Sequence, residues 1–261
     1  MGERMRGSIT RRKVLALGIP TVGMTLLRLP KSSNAYSQQG SPPQFRGFWV
    51  DAFHYGFKSP GEVRQLVADA QTANVNALVV QVRRRGDSYY LNSLEPITED
   101  QDFTPKFDAL QYLIERAHGA GVEAHAWIAT IPIWNRSTPP SSPQHVFNLH
   151  GPGKIGDDYW IMTSSSGADC NSERDFQLDP GHPSAAEYTI EVAMHIVRNY
   201  EIDGLHLDRA RYYGRDWGYN PVSVRRFNAR YGRTGVPTAN DPDWVAWRRE
   251  QLTFLIRRLY L

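Results

Sequence analysis

Hydrophobic positions along the chain follow two different periods, and their alternation predicts a succession of strands and helices. Runs rich in Val, Leu and Ala predict strands at residues 46–51, 76–83, 122–129 and 203–208. Apolar residues at helical spacing predict helices that start at Ser59 and Pro60, at 107–120, at 185–200, at 222–231 and from near Asp243 onward. Residues 130–183 are rich in Pro, Ser and Gly, which indicates a long loop region.

Four strand–helix units in succession predict a parallel sheet with right-handed crossovers. Side chains of a strand point alternately to two faces, and the two faces differ here. One face is apolar on every strand, with Phe48, Val50, Val80, Val82, Ala124, Ala126, Leu205 and Leu207. The other face carries Trp49, Asp51, Gln81, Arg83, His125, Trp127, His206 and Asp208. An open sheet with helices on both sides would be apolar on both faces, so the asymmetry favours a barrel with a site at its C-terminal mouth.

The predicted fold is therefore α/β, a parallel (β/α) barrel of the TIM type. A complete barrel needs eight units and about 250 residues, whereas residues 45–261 contain about four units. We expect the N-terminal half of a barrel that is truncated at its C-terminus. A half-barrel that dimerises is the less favoured alternative. A dinucleotide-binding fold lacks its G-x-G-x-x-G turn after the first strand.

The first 35 residues have the pattern of an export signal. They contain seven basic residues and one acidic residue, and an apolar stretch at 14–27 follows Arg11 and Arg12. This pattern predicts a signal peptide of the twin-arginine type, with a flexible linker at 36–44. An ordinary secretory signal or a basic tail is the alternative. The expected location is periplasmic or extracellular, with membrane contact only during export.

Charge and cysteine content exclude several classes of function. Beyond residue 35 the chain has 23 basic and 26 acidic residues, so its charge gives no reason to expect a nucleic-acid partner. Cys170 is the single cysteine, which rules out a disulfide within the chain and a multi-cysteine metal site. The histidines lack the spacing of metal ligands, and no H-E-x-x-H, G-x-S-x-G or Walker motif occurs. The sequence predicts neither a metal nor a cofactor.

Asp208 is the leading candidate for a catalytic residue. It ends the fourth predicted strand, and residues at the C-terminal ends of barrel strands reach the substrate. Hydrolysis of a glycosidic bond needs two carboxylates, and Asp87, just after Gly86, is the candidate for the second. A buried pair between Asp208 and Arg211, and a turn role for Asp87, are the structural alternatives.

A further group of side chains is predicted to bind substrate at the same mouth. It comprises Asp51, Arg83, Tyr90, His125, Trp127, Asp179, His206, Arg211 and Tyr212. Arg83 points into the barrel if the alternation holds, and it could pair there with Asp51 or Asp208. His125 alternatively belongs to the core, and Asp179 alternatively caps a turn. The hypothesis of an enzyme site requires the side chains of four residues to converge at one mouth of the barrel. They are Asp51, Arg83, His125 and Asp208.

Six blocks of sequence, in order, resemble the glycosyl-hydrolase-like family 10. They are FRGFWVD (45–51), NALVVQVR (76–83), GDSYY (86–90), EAHAW (123–127), LDPGHP (178–183) and DGLHLDRARY (203–212). The resemblance implies a TIM-type barrel in an exported bacterial protein that cleaves glycosidic bonds of an envelope or extracellular polysaccharide. It also implies a catalytic role for Asp208, with Arg211 and Tyr212 matching the family block. Tyr213 stands where a proline is often found.

Two other functions remain open on the sequence alone. One is a non-catalytic, carbohydrate-binding envelope protein that uses the same cleft. The other is an unrelated barrel enzyme, such as a lyase or deacetylase, which would require a cofactor or a metal.

Overall fold

Four parallel strands form the central sheet of the protein. The structure is a computed structural model, and it describes residues 44–171 and 175–260. Six strands lie in this part of the chain: β1 (Gly47–Val50), β2 (Ala77–Arg83), β3 (Glu123–Ala129), β4 (Pro132–Trp134), β5 (Phe176–Gln177) and β6 (Gly204–Asp208). Strands β1, β2, β3 and β6 pair in that order, and β4 and β5 form a separate antiparallel pair. The predicted parallel α/β architecture is confirmed, but the described strands do not close into a barrel.

Helices follow or precede the strands as predicted. They are α1 (Pro60–Thr72), α2 (Ala109–Gly119), α3 (Val146–His150), α4 (Pro183–Asn199), α5 (Pro221–Tyr231) and α6 (Pro242–Tyr260). Helix α1 begins at Pro60 because the Ser59 hydroxyl accepts a hydrogen bond from the Glu62 N–H at 3.2 Å and proline suits the first helical position. The predicted loop region 130–183 also contains β4, α3 and β5, whose two to five residues are too few to show a period.

Two sequence predictions fall wholly or largely on residues that the structure does not describe. The predicted signal peptide at 1–35 lies outside the described residues, as do residues 36–43 of the predicted linker. Within the part of the chain that is described, no helix is both long and apolar enough to cross a membrane.

The apolar face of the sheet carries the main core, as the alternation predicts. Val80 and Val82 of β2 and Ala124 and Ala126 of β3 are fully buried. They pack in one cluster with helix residues that include Val67, Leu110, Leu113 and Ile196. Burial of these side chains fixes α1, α2 and α4 on one side of the sheet, which leaves the opposite face free of these helices.

The opposite face of the sheet is concave. Trp49 of β1 and His206 of β6 stand on the two outer strands, yet their ring centroids are 4.5 Å apart. In a flat sheet, three strand spacings would separate the backbones of β1 and β6 by roughly 14 Å, too far for the two rings to come so close. The sheet must therefore curl toward this face, as a barrel sheet does.

A β-bulge at the end of β2 changes the predicted direction of Arg83. Gln81 aligns with Trp127, but Arg83 aligns with Ile128 rather than with Ala129. The extra residue reverses the alternation, so Arg83 takes the same side as Ile128, which belongs to the core under the helices. The prediction that Arg83 lines the mouth is therefore wrong. The alternation of the sequence could not reveal the bulge.

Arg83 instead forms a buried ion pair that joins the sheet to α4. Its Nε and Nη2 each donate to a Glu95 carboxylate oxygen at 2.7 Å, and both side chains are essentially inaccessible to solvent. Nη1 donates to the carbonyl oxygen of Ala129, and the Tyr188 hydroxyl of α4 donates to Glu95. This arrangement gives the buried guanidinium a counter-charge and several acceptors.

Loss of the Glu95 charge is expected to destabilise the fold strongly. The Glu95→Gln variant leaves the buried Arg83 guanidinium without its counter-charge, which costs about 3–5 kcal/mol in comparable sites. Chemical denaturation of parent and variant measures this loss. The matched control is Glu187→Gln, which removes a solvent-exposed pair with Arg258 and should leave the free energy of unfolding almost unchanged. Equal losses in the two variants would contradict a structural role for the buried pair.

Candidate functional site

Three rings line the concave face of the sheet and form what we term the aromatic floor: Trp49, Trp127 and His206. The Trp49 ring lies edge-on to Trp127 at 5.1 Å and to His206 at 4.5 Å between centroids. Trp49 is 59% exposed, although it stands on the central sheet. A flat apolar surface beside ring N–H groups is the kind of surface on which sugar rings stack. Trp127 and His206 are thus brought together as predicted.

Asp208 lies at the carboxyl end of β6, beside this floor. It pairs in register with Ala129 of β3, and its carbonyl oxygen accepts a hydrogen bond from the Thr130 N–H at 2.8 Å. The side chain is partly exposed. Within the described residues, no hydrogen bond or ion pair reaches its carboxylate. The backbone of Asp208 is therefore fixed by the sheet while its oxygens remain available to a ligand.

The backbone is strained directly after Asp208. Arg209 has a φ of +55°, a left-handed conformation that few residues other than glycine adopt. Such conformations persist only where surrounding contacts determine them, and they are common at functional sites. One contact of Arg209 in the described residues is an ion pair between its guanidinium and Asp175.

Asp175 is a site residue that sequence reasoning missed. Its carboxylate is 2% exposed and accepts from the Arg85 Nε at 2.5 Å as well as from Arg209. Arg85 follows β2 and Arg209 follows β6, so one carboxylate ties together two loops at the carboxyl ends of the strands. Asp175 precedes the two-residue strand β5 inside a loop-like stretch, where no periodic signal could have revealed it.

Asp51 follows β1 on the same face and is tied into its own turn. Its Oδ1 accepts from the N–H groups of Phe53 and His54 at 2.7 and 3.0 Å, and the His54 ring bonds to the carboxylate at 2.9 Å. Burial acts to raise the pKa of Asp51, but these bonds with His54 and Phe53 outweigh it and lower the pKa. Asp51 is therefore an ionised residue that orders the loop after β1.

Asp87, the predicted second acid, adopts the turn role instead. Its side chain is nearly buried, at 6% residue exposure, and it accepts from the Arg85 N–H at 2.8 Å. A carboxylate used in this way orders the loop after β2 and has little access to a substrate. The geometry thus favours the structural alternative that was open for Asp87.

His125 is on the concave face but lies nearer the amino ends of the strands. It shares its register level with Trp49 and Gly204, whereas Trp127 and His206 lie two residues further along. Its Nε2 bonds to Glu123 at 2.9 Å, and its ring packs edge-on against Phe45. His125 therefore lies level with Trp49 and below Trp127 and His206, away from the mouth.

Two tyrosines that were predicted to bind substrate lie in hydrophobic clusters. Tyr90 is fully buried in the core under the helices and packs against Tyr200 at 5.4 Å between centroids. Tyr212 packs on a second cluster, and the Arg248 guanidinium lies 5.5 Å from its ring centroid. Burial raises the pKa of both phenols. These positions correct the predicted role in binding, because neither ring faces the concave surface.

Asp179 is also buried, and it caps the turn before α4. It is 0% exposed and accepts from the N–H groups of Gly181 and Asn220 at 2.8 and 3.1 Å. Burial raises its pKa to about 6, against the opposing effect of these hydrogen bonds. The capping alternative is the one that the structure favours.

Arg211, which was also predicted to bind substrate, is exposed, and its N–H donates to the Arg209 carbonyl oxygen.

The expected convergence of four side chains is only partly correct. Asp51 and Asp208 lie on the concave face at the carboxyl ends of their strands, but Arg83 faces the helices and His125 lies lower. Among the described residues, no three His, Cys, Asp or Glu side chains are grouped as a metal site would require. Asp51 and Asp208 thus form a polar rim above the aromatic floor. This arrangement suits a polyhydroxylated ligand.

Comparison with known protein families matches this chain to one of them. The family model described as glycosyl hydrolase-like 10 matches residues 44–260. The chain belongs to the glycosyl hydrolase-like 10 family. The resemblance carried by the six sequence blocks is thus confirmed, and the family assignment covers all the described residues.

Relatives of this glycosyl hydrolase-like 10 chain include two bacterial proteins. Glycosyl hydrolase YngK of Bacillus subtilis (strain 168) is 22% identical over 254 residues, which are 91% of this chain and 45% of YngK. Glycosyl hydrolase DigH of Escherichia coli (strain K12) is 26% identical over 199 residues, which are 70% of this chain and 40% of DigH. The chain spans less than half the length of these relatives.

A solved structure supports the fold of this glycosyl hydrolase-like 10 protein. The catalytic domain of β-amylase from Paenibacillus polymyxa superposes with a TM-score of 0.51 at 15% identity, covering 82% of this chain and 61% of that one. At this identity the similarity concerns the fold alone. It agrees with the parallel α/β architecture of the central sheet and its helices.

The raised pKa of Asp179 predicts a specific dependence of stability on pH. The folded-state pKa of about 6 exceeds the ordinary value of 3.8, so protonation stabilises the folded state. This contribution is fully present below about pH 4 and is lost as the pH rises through 6. Relative to Asp179→Asn, the free energy of unfolding of the parent should fall by at most about 3 kcal/mol between pH 4 and 7. Denaturation curves measured across this range check the prediction, and parallel curves for the two proteins would contradict it.

Proposed function

We propose that this protein is a glycoside hydrolase that cleaves glycosidic bonds of an envelope or extracellular polysaccharide, with Asp208 as a catalytic carboxylate. The observation that carries the proposal is the position of Asp208. Its carboxylate lies at the end of a parallel strand, beside the aromatic floor, and no described protein group binds it. Membership of a glycosyl hydrolase-like family supports the same reaction class.

The chemistry follows from what lies around Asp208. A sugar ring stacked on Trp49 or Trp127 buries its C–H face and leaves its hydroxyl and glycosidic oxygens toward the polar rim. A carboxylate at that rim protonates the leaving oxygen, attacks the anomeric carbon or activates water. The ion pairs of Asp175 keep the strand-end loops fixed, so the carboxylate needs little reorganisation before reaction.

Replacement of Asp208 tests this role directly. The Asp208→Asn variant keeps the shape of the side chain but cannot transfer a proton or attack, so kcat should fall by about 10²–10⁴-fold with KM nearly unchanged. Release of reducing ends from a panel of envelope and extracellular polysaccharides measures kcat. The control Asp216→Asn makes the same change on an exposed residue of the loop after β6 and should retain full activity.

The outcomes separate catalysis from simple binding. Unchanged turnover in Asp208→Asn would remove Asp208 from the mechanism. Binding of a polysaccharide by the parent protein without any release of reducing ends would favour the alternative of a non-catalytic carbohydrate-binding protein. Asp87→Asn provides a further comparison, because its amide oxygen still accepts from the Arg85 N–H and turnover should persist.

We also propose that the protein is exported. The support is the basic segment with Arg11 and Arg12 ahead of the apolar stretch at 14–27. With Cys170 as its single cysteine, the chain needs no disulfide of its own before it crosses the membrane folded. Replacing both arginines with lysine should leave the protein in the cytoplasmic fraction. Continued export of that variant would favour an ordinary secretory signal.

A further inference from the structure

We infer that the loop after β1 and the cavity beside it form a subsite for an uncharged sugar ring, with Phe53 as the surface on which the ring stacks. The inference rests on the proposed function and extends it. It states where the polysaccharide continues beyond Asp208 and which class of sugar the protein prefers there.

Phe53 is exposed and yet held in place. The residue is 55% exposed, while the guanidinium carbons of Arg84 and Arg85 lie 5.3 and 5.2 Å from its ring centroid. The two arginine side chains are themselves only 14% and 15% exposed. An aromatic ring fixed by two largely buried cations keeps its orientation in solution, so a ligand that stacks on it loses little binding energy to ordering the site.

The loop that carries Phe53 is fixed at both of its ends. At its start, Asp51 accepts from the Phe53 N–H, and the Ala52 N–H donates to the Gln81 side chain at 3.1 Å. At its end, the Gly56 N–H donates to the Glu62 carboxylate at 2.9 Å. These bonds connect the loop to β1, β2 and α1, so the position of the exposed ring is set by the fold.

A cavity of about 380 Å³ opens beside Phe53. This volume lies within the range of small-molecule sites. Its wall includes three cationic side chains, Lys58, Arg84 and Arg136, and three anionic ones, Glu99, Asp100 and Asp102. The cavity therefore combines an aromatic edge with many polar groups.

The charges of the cavity wall are already paired with one another. Lys58 Nζ lies 3.0 Å from Asp100 and 3.7 Å from Asp102, and Arg136 lies 3.6 Å from Glu99. A charged ligand would have to break such a pair and would meet repulsion from one member. Hydroxyl groups both donate and accept, so they can bond to both members of a pair without separating them. This is the reason for assigning an uncharged sugar to the subsite.

A chain of contacts runs from Phe53 to Arg209, which is bonded through the backbone to Asp208. Arg85 lies against the Phe53 ring and donates to Asp175, and Asp175 in turn binds Arg209, the residue after Asp208. These contacts follow the carboxyl ends of the strands. A polysaccharide that spans the carboxyl ends of β1 and β6 would place one ring on Phe53 while another lies on the aromatic floor beside the candidate catalytic carboxylate.

Two substitutions distinguish a role of Phe53 in stacking on a sugar from a role in shielding Arg84 and Arg85 from solvent. Phe53→Leu still shields Arg84 and Arg85 but removes the flat face, whereas Phe53→Tyr retains that face. The matched control is Phe254→Leu on α6, since Phe254 is also 55% exposed and lies 5.9 Å from the Arg258 guanidinium carbon. Far-ultraviolet circular dichroism and thermal unfolding confirm that each variant is folded.

Isothermal titration with defined oligosaccharides tests the inference. The Asp208→Asn protein, which prevents turnover, is titrated with cellohexaose, chitohexaose and maltohexaose as uncharged probes and with hexagalacturonate as the charged one. At least one uncharged hexasaccharide should bind more tightly than hexagalacturonate. Phe53→Leu in this background should raise its Kd about three- to tenfold, while Phe53→Tyr and Phe254→Leu leave it nearly unchanged.

Each other outcome overturns a defined part of the account. Unchanged affinity in Phe53→Leu removes Phe53 from binding, and tighter binding of hexagalacturonate contradicts the uncharged class. If either occurs while Asp208→Asn still abolishes polysaccharide cleavage, the subsite fails and the proposed function stands. Absence of both binding and cleavage with every glycan would contradict the proposed function and the subsite together.

Discussion

Curvature of the parallel sheet is the constraint on which the rest of the structure depends. Because neighbouring strands run in the same direction and pair in register up to the bulge in β2, alternate side chains of the strands face the same side. Curling toward that side brings Trp49 and His206 from the two outer strands to 4.5 Å between ring centroids. The helices bury the other face, so the concave face is the one on which polar and aromatic side chains can meet a ligand.

The loops at the carboxyl ends of the strands complete the site by binding to one another. Asp175 connects the loop after β2 with the loop after β6, and Asp51 orders the loop after β1. These carboxylates are used to position backbone and cations, whereas Asp208 is left without a described protein partner. The division between carboxylates that position the site and one that is available to a ligand is what supports the proposed role of Asp208.

Much of this architecture could be predicted from sequence because it depends on regular periods. The strand and helix pattern, the apolar face and the shared face of Asp51, Trp127, His206 and Asp208 all follow from regular alternation. The direction of the Arg83 side chain was predicted wrongly because a bulge in β2 reverses it. Tyr90, Tyr212 and Asp179 are polar residues of buried loops, and their burial depends on tertiary packing that no local pattern encodes. Asp175 acts through partners 90 and 34 residues away in sequence.

The most direct test of the central claim is a crystal structure of the Asp208→Asn protein with a bound oligosaccharide that the parent protein cleaves. The account predicts a sugar ring against Trp49 or Trp127 on the concave face, with a glycosidic oxygen within hydrogen-bonding distance of the residue-208 side chain. An oligosaccharide bound among the outer helices, or at the amino ends of the strands, would contradict it.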